Sequence, residues 1–347
     1  MLCDGDARLP PTEDCFKGSL LFPWCNRIAG VSYLTEDEKG ELSVPVPVKQ
    51  EKNGHLHGGE VADASWTLVS VKPASEVVYK LTIDPSKSEY YPHGLQCTVR
   101  YQVVGLGPSR EEDSGEVQQD AEEASVLATI NSEAKIPSFF TVDECLQAKD
   151  PEEEALVEGL RVEIEVESVE QKKDAWLGLG AHLYFRNPFG GPINELSMAL
   201  RVKGEVVVDE ALIPLHPVQI VDPPLDHDFD SLLPRPLGAI ELDNCFQLDL
   251  EVAEEEEGAA LAVLQKDHFL LEVIPERTES RARGHEGKPA VQFLQVYTIP
   301  DRSCIALEPQ TSLANHFSYP YDPSYANNIL KPSQSLLFST LYLVTWS

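Results

Sequence analysis

The chain has 347 residues, 42% of them hydrophobic, which is ample for a large core. Lys+Arg total 27 against 58 Asp+Glu, a formal net charge of -31 at pH 7. That balance repels nucleic acid and anionic membrane surfaces, and the sequence has no clustered Lys/Arg run to receive a phosphorylated ligand, so neutral small molecules are the class left open.

Seven cysteines (Cys3, Cys15, Cys25, Cys97, Cys145, Cys245, Cys304) are spread singly. There is no CxxC pair and no short metal-ligand spacing, so neither a metal nor another cofactor is expected. The odd number favours free thiols in a reducing compartment. Residues 1–18 are polar, bear prolines and are expected to be irregular, and no apolar leader stands at the N-terminus. No uninterrupted apolar run is long enough to span a bilayer, so a cytoplasmic location is expected.

The first apolar strand is Ser19–Phe22, stopping at Pro23 and delivering Asn26 and Arg27. Arg27 either pairs with the abundant acids or presents a fixed fork of donors to ligand oxygens. In Lys52–Gly59 the Asn-Gly and Gly-Gly steps mark tight backbone around His55 and His57. His57 is either a solvated turn residue or a donor to a ligand that approaches the bare backbone; no third residue follows at metal-ligand spacing. Trp66–Val71, Glu76–Ile83 and Leu95–Val103 then alternate as strands.

From about residue 107 to 158 the character changes. Acidic clusters at 110–113, 120–123 and 150–154 alternate with Gly, Ser and Gln. This reads as a solvated insertion within one domain spanning 1–347. Strands resume at Leu160–Glu167, with a clean period of two, and at Leu177–Phe185, where His182 lies among small residues and aromatics. His182 is either a satisfied core histidine or faces a ligand. Further strands are expected at 195–202, 216–221, 246–252, 258–264, 268–274, 291–299 and 335–346. Asp243 opens one of them. Near the end, Ile305–Leu307 runs into Glu308, and Pro309 is expected to turn the chain there. Glu308 is then a strand-end residue in solvent or a general base at the mouth of a sheet. Helical periodicity is nearly absent, so the fold is all-β, a sandwich or barrel.

The order of five short motifs resembles the aldose 1-epimerases, the galactose mutarotase family. They are Asn26-Arg27-Ile28, His57-Gly58-Gly59, His182-Leu183-Tyr184-Phe185, Asp243 ahead of Phe246, and Leu307-Glu308-Pro309-Gln310-Thr311. The spacing around His182 is similar to bacterial-type relatives with Gly-x-His-x-Tyr-Phe. The resemblance covers about residues 20–346 and implies a large antiparallel twisted β-sandwich, or supersandwich, that binds a small-molecule aldose sugar in an open cleft. It implies Glu308 as general base and His182 as general acid. Arg27, His57 and Asp243 would bind the sugar hydroxyls and ring oxygen, with no cofactor. A Trp or Tyr face would stack on the ring, Trp24, Trp66 and Trp176 being the tryptophans considered.

The chain departs from the family pattern at Ala181 and Arg186, where Asn is usual, at Ser333, where Gly is usual, and in its short segment before Arg27. The resulting expectation is an enzyme that interconverts α and β anomers of free hexoses. The alternatives are a hexose-6-phosphate 1-epimerase and a non-catalytic carbohydrate-binding or scaffold protein on the same fold. Oligomeric state has no signature in the sequence.

Overall fold

The computed structural model describes residues 16–30, 32–37, 40–45, 55–58, 64–105, 156–170, 172–224, 229, 233–251, 259–279, 286–319, 321–325 and 328–347. The acidic segment expected as an insertion therefore lies, up to residue 155, outside the described residues. Two large antiparallel sheets make up most of the rest. One has seven strands, in the order Ser19–Leu21, Gly180–Arg186, Cys304–Gln310, Phe293–Thr298, Asp243–Leu248, Val202–Val206 and Ile220–Val221. The other has nine, in the order Arg235–Pro236, Ser197–Leu200, Ala262–Lys266, Phe269–Pro275, Ser335–Trp346, Leu156–Ser168, Leu95–Gly105, Glu76–Ile83 and Thr67–Lys72. Helix among the described residues is confined to three-residue 3-10 turns and to Leu250 and Glu251, which are α-helical. This is the all-β sandwich that the strand pattern predicts.

The alternation of side chains explains the packing. In Leu156–Ser168, Val162, Ile164 and Val166 are fully buried, while Arg161, Glu163, Glu165 and Glu167 take the other face. Cys97, Val99, Leu336, Phe338, Leu264 and Leu271 add to the same core from neighbouring strands. The seven-stranded sheet contributes Leu183, Phe185, Leu294, Val296, Ile305, Leu307, Phe246 and Leu248. Every one of those strands therefore has a second set of side chains, at the alternate positions, on the face away from this core. That second face carries the site.

Pro309 does not turn the chain. The strand runs Cys304–Gln310, and Leu294↔Pro309 and Phe293↔Gln310 are paired on one side. On the other side partners are Leu183↔Leu307 and Gly180↔Gln310, with the ladder interrupted between them. The missing N–H of Pro309 falls in that gap, so no ladder hydrogen bond is lost. The expected strand at 216–221 shrinks to Ile220–Val221, because Pro217 brings no donor at its start. The hairpin Ser32–Asp37 with Gly40–Pro45 is an element the sequence pattern did not reveal.

Cysteines depart from expectation in one place. Cys25, Cys97 and Cys245 are free, but Cys304 is disulfide-bonded. The free-thiol reading thus fails at Cys304. No helix among the described residues is long and apolar enough to cross a membrane.

Candidate active site

The register of the seven-stranded sheet sets the site as a grid. Gln295 is paired with Glu308 and Cys245 with Gln295, while Ser19 is paired with His182. Two residues along the strands, Tyr184, Ala306, Tyr297 and Asp243 form a second row through the pairs Tyr184↔Ala306, Tyr297↔Ala306 and Asp243↔Tyr297. Because strand side chains repeat every second residue, both rows stand on the face opposite the core. A cavity of about 250 Å³ opens over this grid, lined by Phe16, Asn26, Arg27, Leu56, His57, His182, Tyr184, Asp243, Gln295, Tyr297 and Glu308. All five residues singled out in the sequence are among them.

Glu308 and His182 meet directly, with Nε2 of His182 3.2 Å from Oε1 of Glu308. Glu308 is 2% exposed and His182 4%, so the solvated strand-end reading of Glu308 is overturned. Burial pushes the Glu308 carboxyl well above its ordinary range, and the charge of Asp243 adds to the shift; Gln310 and Arg27 oppose it. Burial lowers His182 to about 3. Both shifts favour the uncharged form, a carboxylic acid beside a neutral imidazole, over an ion pair. Nδ1 of His182 is buried without a partner of good geometry, its own main chain being the nearby polar group. Tyr184 stacks on the His182 ring, 5.0 Å between centroids and 15° apart, and fixes its plane.

Arg27 and His57 reach the cavity from a small ladder, Arg27–Ile28 with His55–Leu56. Its turn is locked twice: the His57 N–H donates to the Asn26 carbonyl at 2.9 Å, and the Asn26 N–H donates to His57 Nδ1 at 3.1 Å. Nδ1 is thus an acceptor, so a neutral His57 carries its proton on Nε2 and presents a donor at its other edge. Next to it Gly58 holds φ +82, and a Cβ there would lie 1.9 Å from the Phe22 carbonyl oxygen. This is the physical reason for a glycine after His57. Asn315 anchors the Arg27 strand from the far side, its Oδ1 accepting from the Ala29 N–H at 3.0 Å.

Sequence reasoning missed the groups that hold these residues. Gln295 is 4% exposed; its Nε2 donates to Asp243 Oδ1 at 2.8 Å and its Oε1 accepts from Asn26 Nδ2 at 3.4 Å. Asn26 Oδ1 in turn accepts from an Arg27 guanidinium N–H at 2.9 Å. A chain of amides therefore ties the pocket's arginine to its aspartate. The only signal for Gln295 was its place in an otherwise apolar strand. None of Trp24, Trp66 or Trp176 lines the cavity; the aromatic walls are Phe16, Tyr184 and Tyr297. Phe16 packs edge-on against His57, 4.7 Å between centroids.

The three single-residue departures, Ala181, Arg186 and Ser333, are not among the residues lining the cavity. Ala181 is paired with Leu20 and sits in the core, on the opposite face from His182. Arg186 ends its strand opposite Cys304. Ser333 itself adopts the left-handed φ of +62 that a glycine would hold more readily.

His57, His182 and Glu308 place ligand atoms within 4.8 Å of one another, a three-donor cluster that the spacing along the chain did not suggest. The hydrogen bond from Asn26 opposes its use as a metal centre. It occupies Nδ1 of His57 and leaves a protonated Nε2, which has no lone pair to give.

Comparison with known proteins agrees with this architecture. Residues 8–107 match the sequence profile of the Aldose 1-epimerase family, a stretch that holds Arg27 and His57. No curated protein matches the chain. A galactose mutarotase-like protein from Clostridium acetobutylicum is 15% identical with a TM-score of 0.62, over 94% of this chain and 78% of that one. The chain has a galactose mutarotase-like fold. A putative aldose 1-epimerase from Escherichia coli K12 superposes on it with a TM-score of 0.61 at 14% identity, covering 100% of this chain and 89% of that one. A galactose 1-epimerase from Lactobacillus acidophilus NCFM gives 0.61 at 16% identity, covering 100% and 86%. The mutarotase-like sandwich thus extends through the second half of the chain, where His182, Asp243 and Glu308 stand.

Proposed function

We propose that this protein is an aldose 1-epimerase that interconverts the α and β anomers of free, uncharged hexoses. The observation that carries the reading is the buried contact between Glu308 and His182 on the floor of a cavity ringed by donors and acceptors. Opening a pyranose needs a base at the C1 hydroxyl and an acid at the ring oxygen, both within hydrogen-bond reach. With the pair as carboxylate and imidazolium, Glu308 takes the O1 proton. The O1 electrons form the C1 carbonyl, the C1–O5 bond breaks, and O5 takes the proton of His182. Rotation about C1–C2 turns the other carbonyl face to O5, and the two groups return their protons on closure.

His57 Nε2–H and the Arg27 guanidinium supply fixed donors for charge that develops on oxygen. Asp243, held by Gln295, accepts from ring hydroxyls. Tyr184, Tyr297 and Phe16 offer apolar faces to the sugar ring. At about 250 Å³ the cavity lies just below the usual range of ligand-site volumes, about 300–1,000 Å³, which suits one monosaccharide.

Arg27 is the sole arginine or lysine among the lining residues and stands beside two carboxyl groups. This disfavours a hexose 6-phosphate, whose dianion would want a cationic cradle. Proton NMR exchange spectroscopy on a panel of free aldoses and their 6-phosphates tests the reading. Faster α–β exchange of a free aldose is the expected result. Exchange accelerated only for the phosphates would select the phosphosugar alternative, and binding without acceleration would select a non-catalytic sugar binder.

A further inference from the structure

We propose that this site also exchanges the acyclic aldehyde with solution, so that the protein is a ring-opening and ring-closing catalyst and not only an anomer exchanger. The inference rests on the epimerase reading above and goes beyond it. Ring opening leaves the proton from O1 on Glu308 and removes one from His182. If the aldehyde stays bound, closure restores both groups. If it leaves, the carboxylic acid and the neutral imidazole must exchange a proton before the next cyclic sugar can react.

The structure provides a direct route. Oε1 and Nε2 lie 3.2 Å apart, close enough for a proton to pass directly between them. One proton passing from Oε1 to Nε2 resets the pair. Direct contact makes a reset through bulk solvent unnecessary.

The same geometry describes what the uncharged pair can receive. The pair at rest is the uncharged one, favoured by burial of both groups. It offers an O–H donor from Glu308 and an acceptor lone pair on His182. A cyclic sugar needs the reverse, a base at O1 and an acid at O5. The acyclic aldose matches the resting pair: its carbonyl oxygen accepts and its C5 hydroxyl donates. His57 Nε2–H and Arg27 add further donors around a carbonyl. The groups facing the pair from the neighbouring strands keep to this pattern. Gln310 donates to Glu308 Oε2 at 3.3 Å, Cys25 and Cys245 are uncharged thiols beside it, and Asp243 disfavours a second negative charge. Catalysis does not alter the equilibrium amount of aldehyde, so the activity matters where a second reaction removes it. That reaction is of the class that acts on a free sugar carbonyl, such as reduction or aldose–ketose isomerisation.

Carbon-13 saturation transfer on an aldose labelled at C1 tests the proposal in one sample. Irradiating the free aldehyde resonance should drain both pyranose signals at a rate that rises with enzyme, about 10-fold or more over the uncatalysed rate at micromolar protein, within the reach of acid–base catalysis. A second readout is a nicotinamide-dependent reductase of the free aldehyde, added in excess so that ring opening limits; its rate should rise in the same proportion. Both gains should vanish with Glu308→Gln, and with His182→Asn should one variant fail to fold. Faster α–β exchange with no faster drain from the aldehyde and no faster reduction would overturn the inference and leave the epimerase intact. Acceleration of neither would overturn the epimerase reading and this inference with it.

Discussion

Glu308 shows how a residue's environment decides between two readings that its neighbours in sequence leave open. An apolar run ending in Glu-Pro fits a solvated strand end as well as a general base. The difference is made by Phe293–Thr298 and Gly180–Arg186 on either side, which bury the carboxyl and bring His182 onto it. Replacing Glu308 by Gln or His182 by Asn should lower anomer exchange by about 10²–10⁴-fold, the usual worth of one positioned proton transfer. Thermal unfolding of both variants separates that loss from misfolding. The pair carries one proton over its working range, so the pH dependence has a definite shape. Activity should fall on the acid side only as His182 takes a second proton, near its lowered value of about 3. It should fall on the alkaline side as Glu308, raised well above the ordinary carboxyl range, gives its proton up. Stopped-flow polarimetry across pH, kept within the range where the fold persists, gives the profile; an acid limb near 6.5 would contradict the shared-proton pair. Gln295→Leu should raise KM about 10-fold with a smaller change in kcat, the loss of roughly one hydrogen bond to a charged group.

At the scale of elements, the strands were legible wherever one face is buried and the other is not. Glu76–Ile83 and Ser335–Trp346 have the expected bounds, and Leu156–Ser168 extends the expected run of alternating acids and aliphatics. Strands in the seven-stranded sheet were harder to read, because their outer face is not plain solvent. Cys304–Gln310 is buried on both faces and shows no polar alternation. The grid of Tyr184, Tyr297, Gln295 and Asp243 comes from register between distant strands, which no local window contains. The five motifs, Asn26 among them, could be placed by resemblance; the bonds Asn26 makes to His57 and Gln295, and the place of Phe16, could not, since they arise from contacts between residues distant in the sequence. Gly58 was legible as tight backbone, and the structure supplies the cause. Gly58→Ala would force a Cβ toward the Phe22 carbonyl oxygen at a backbone angle that side chains rarely adopt. A destabilisation of about 3 kcal/mol or more is expected, read by urea unfolding, with displacement of His57 and loss of activity.

For the whole molecule, three histidines in the interior make stability depend on acid. His93 and His182 are lowered to about 3 and His316 to about 4, each by burial, from an ordinary value of 6.5. At the Glu308–His182 pair the proton kept on the raised Glu308 offsets the one missing from His182, but at His93 and His316 the unfolded chain binds more protons than the folded one between those values, so stability rises with pH across that interval. The contribution is fully present above 6.5 and is lost as pH falls toward 3. Tm should therefore drop steadily from pH 7 to pH 4, measured by calorimetry at constant ionic strength. A Tm unchanged or higher over that span would contradict neutral, buried imidazoles. The formal charge of -31 works in the other direction, since acid lessens self-repulsion. High salt screens that repulsion, so the fall should be clearest there.

The account stands on a carboxyl and an imidazole that work on one hemiacetal. Two-dimensional exchange spectroscopy of the anomeric protons of a free hexose, recorded with the parent protein and with folded Glu308→Gln and His182→Asn variants, tests it most directly. The account predicts α–β cross-peaks that build up in proportion to the parent protein and return to the uncatalysed rate in both variants. Undiminished exchange in either folded variant would contradict it.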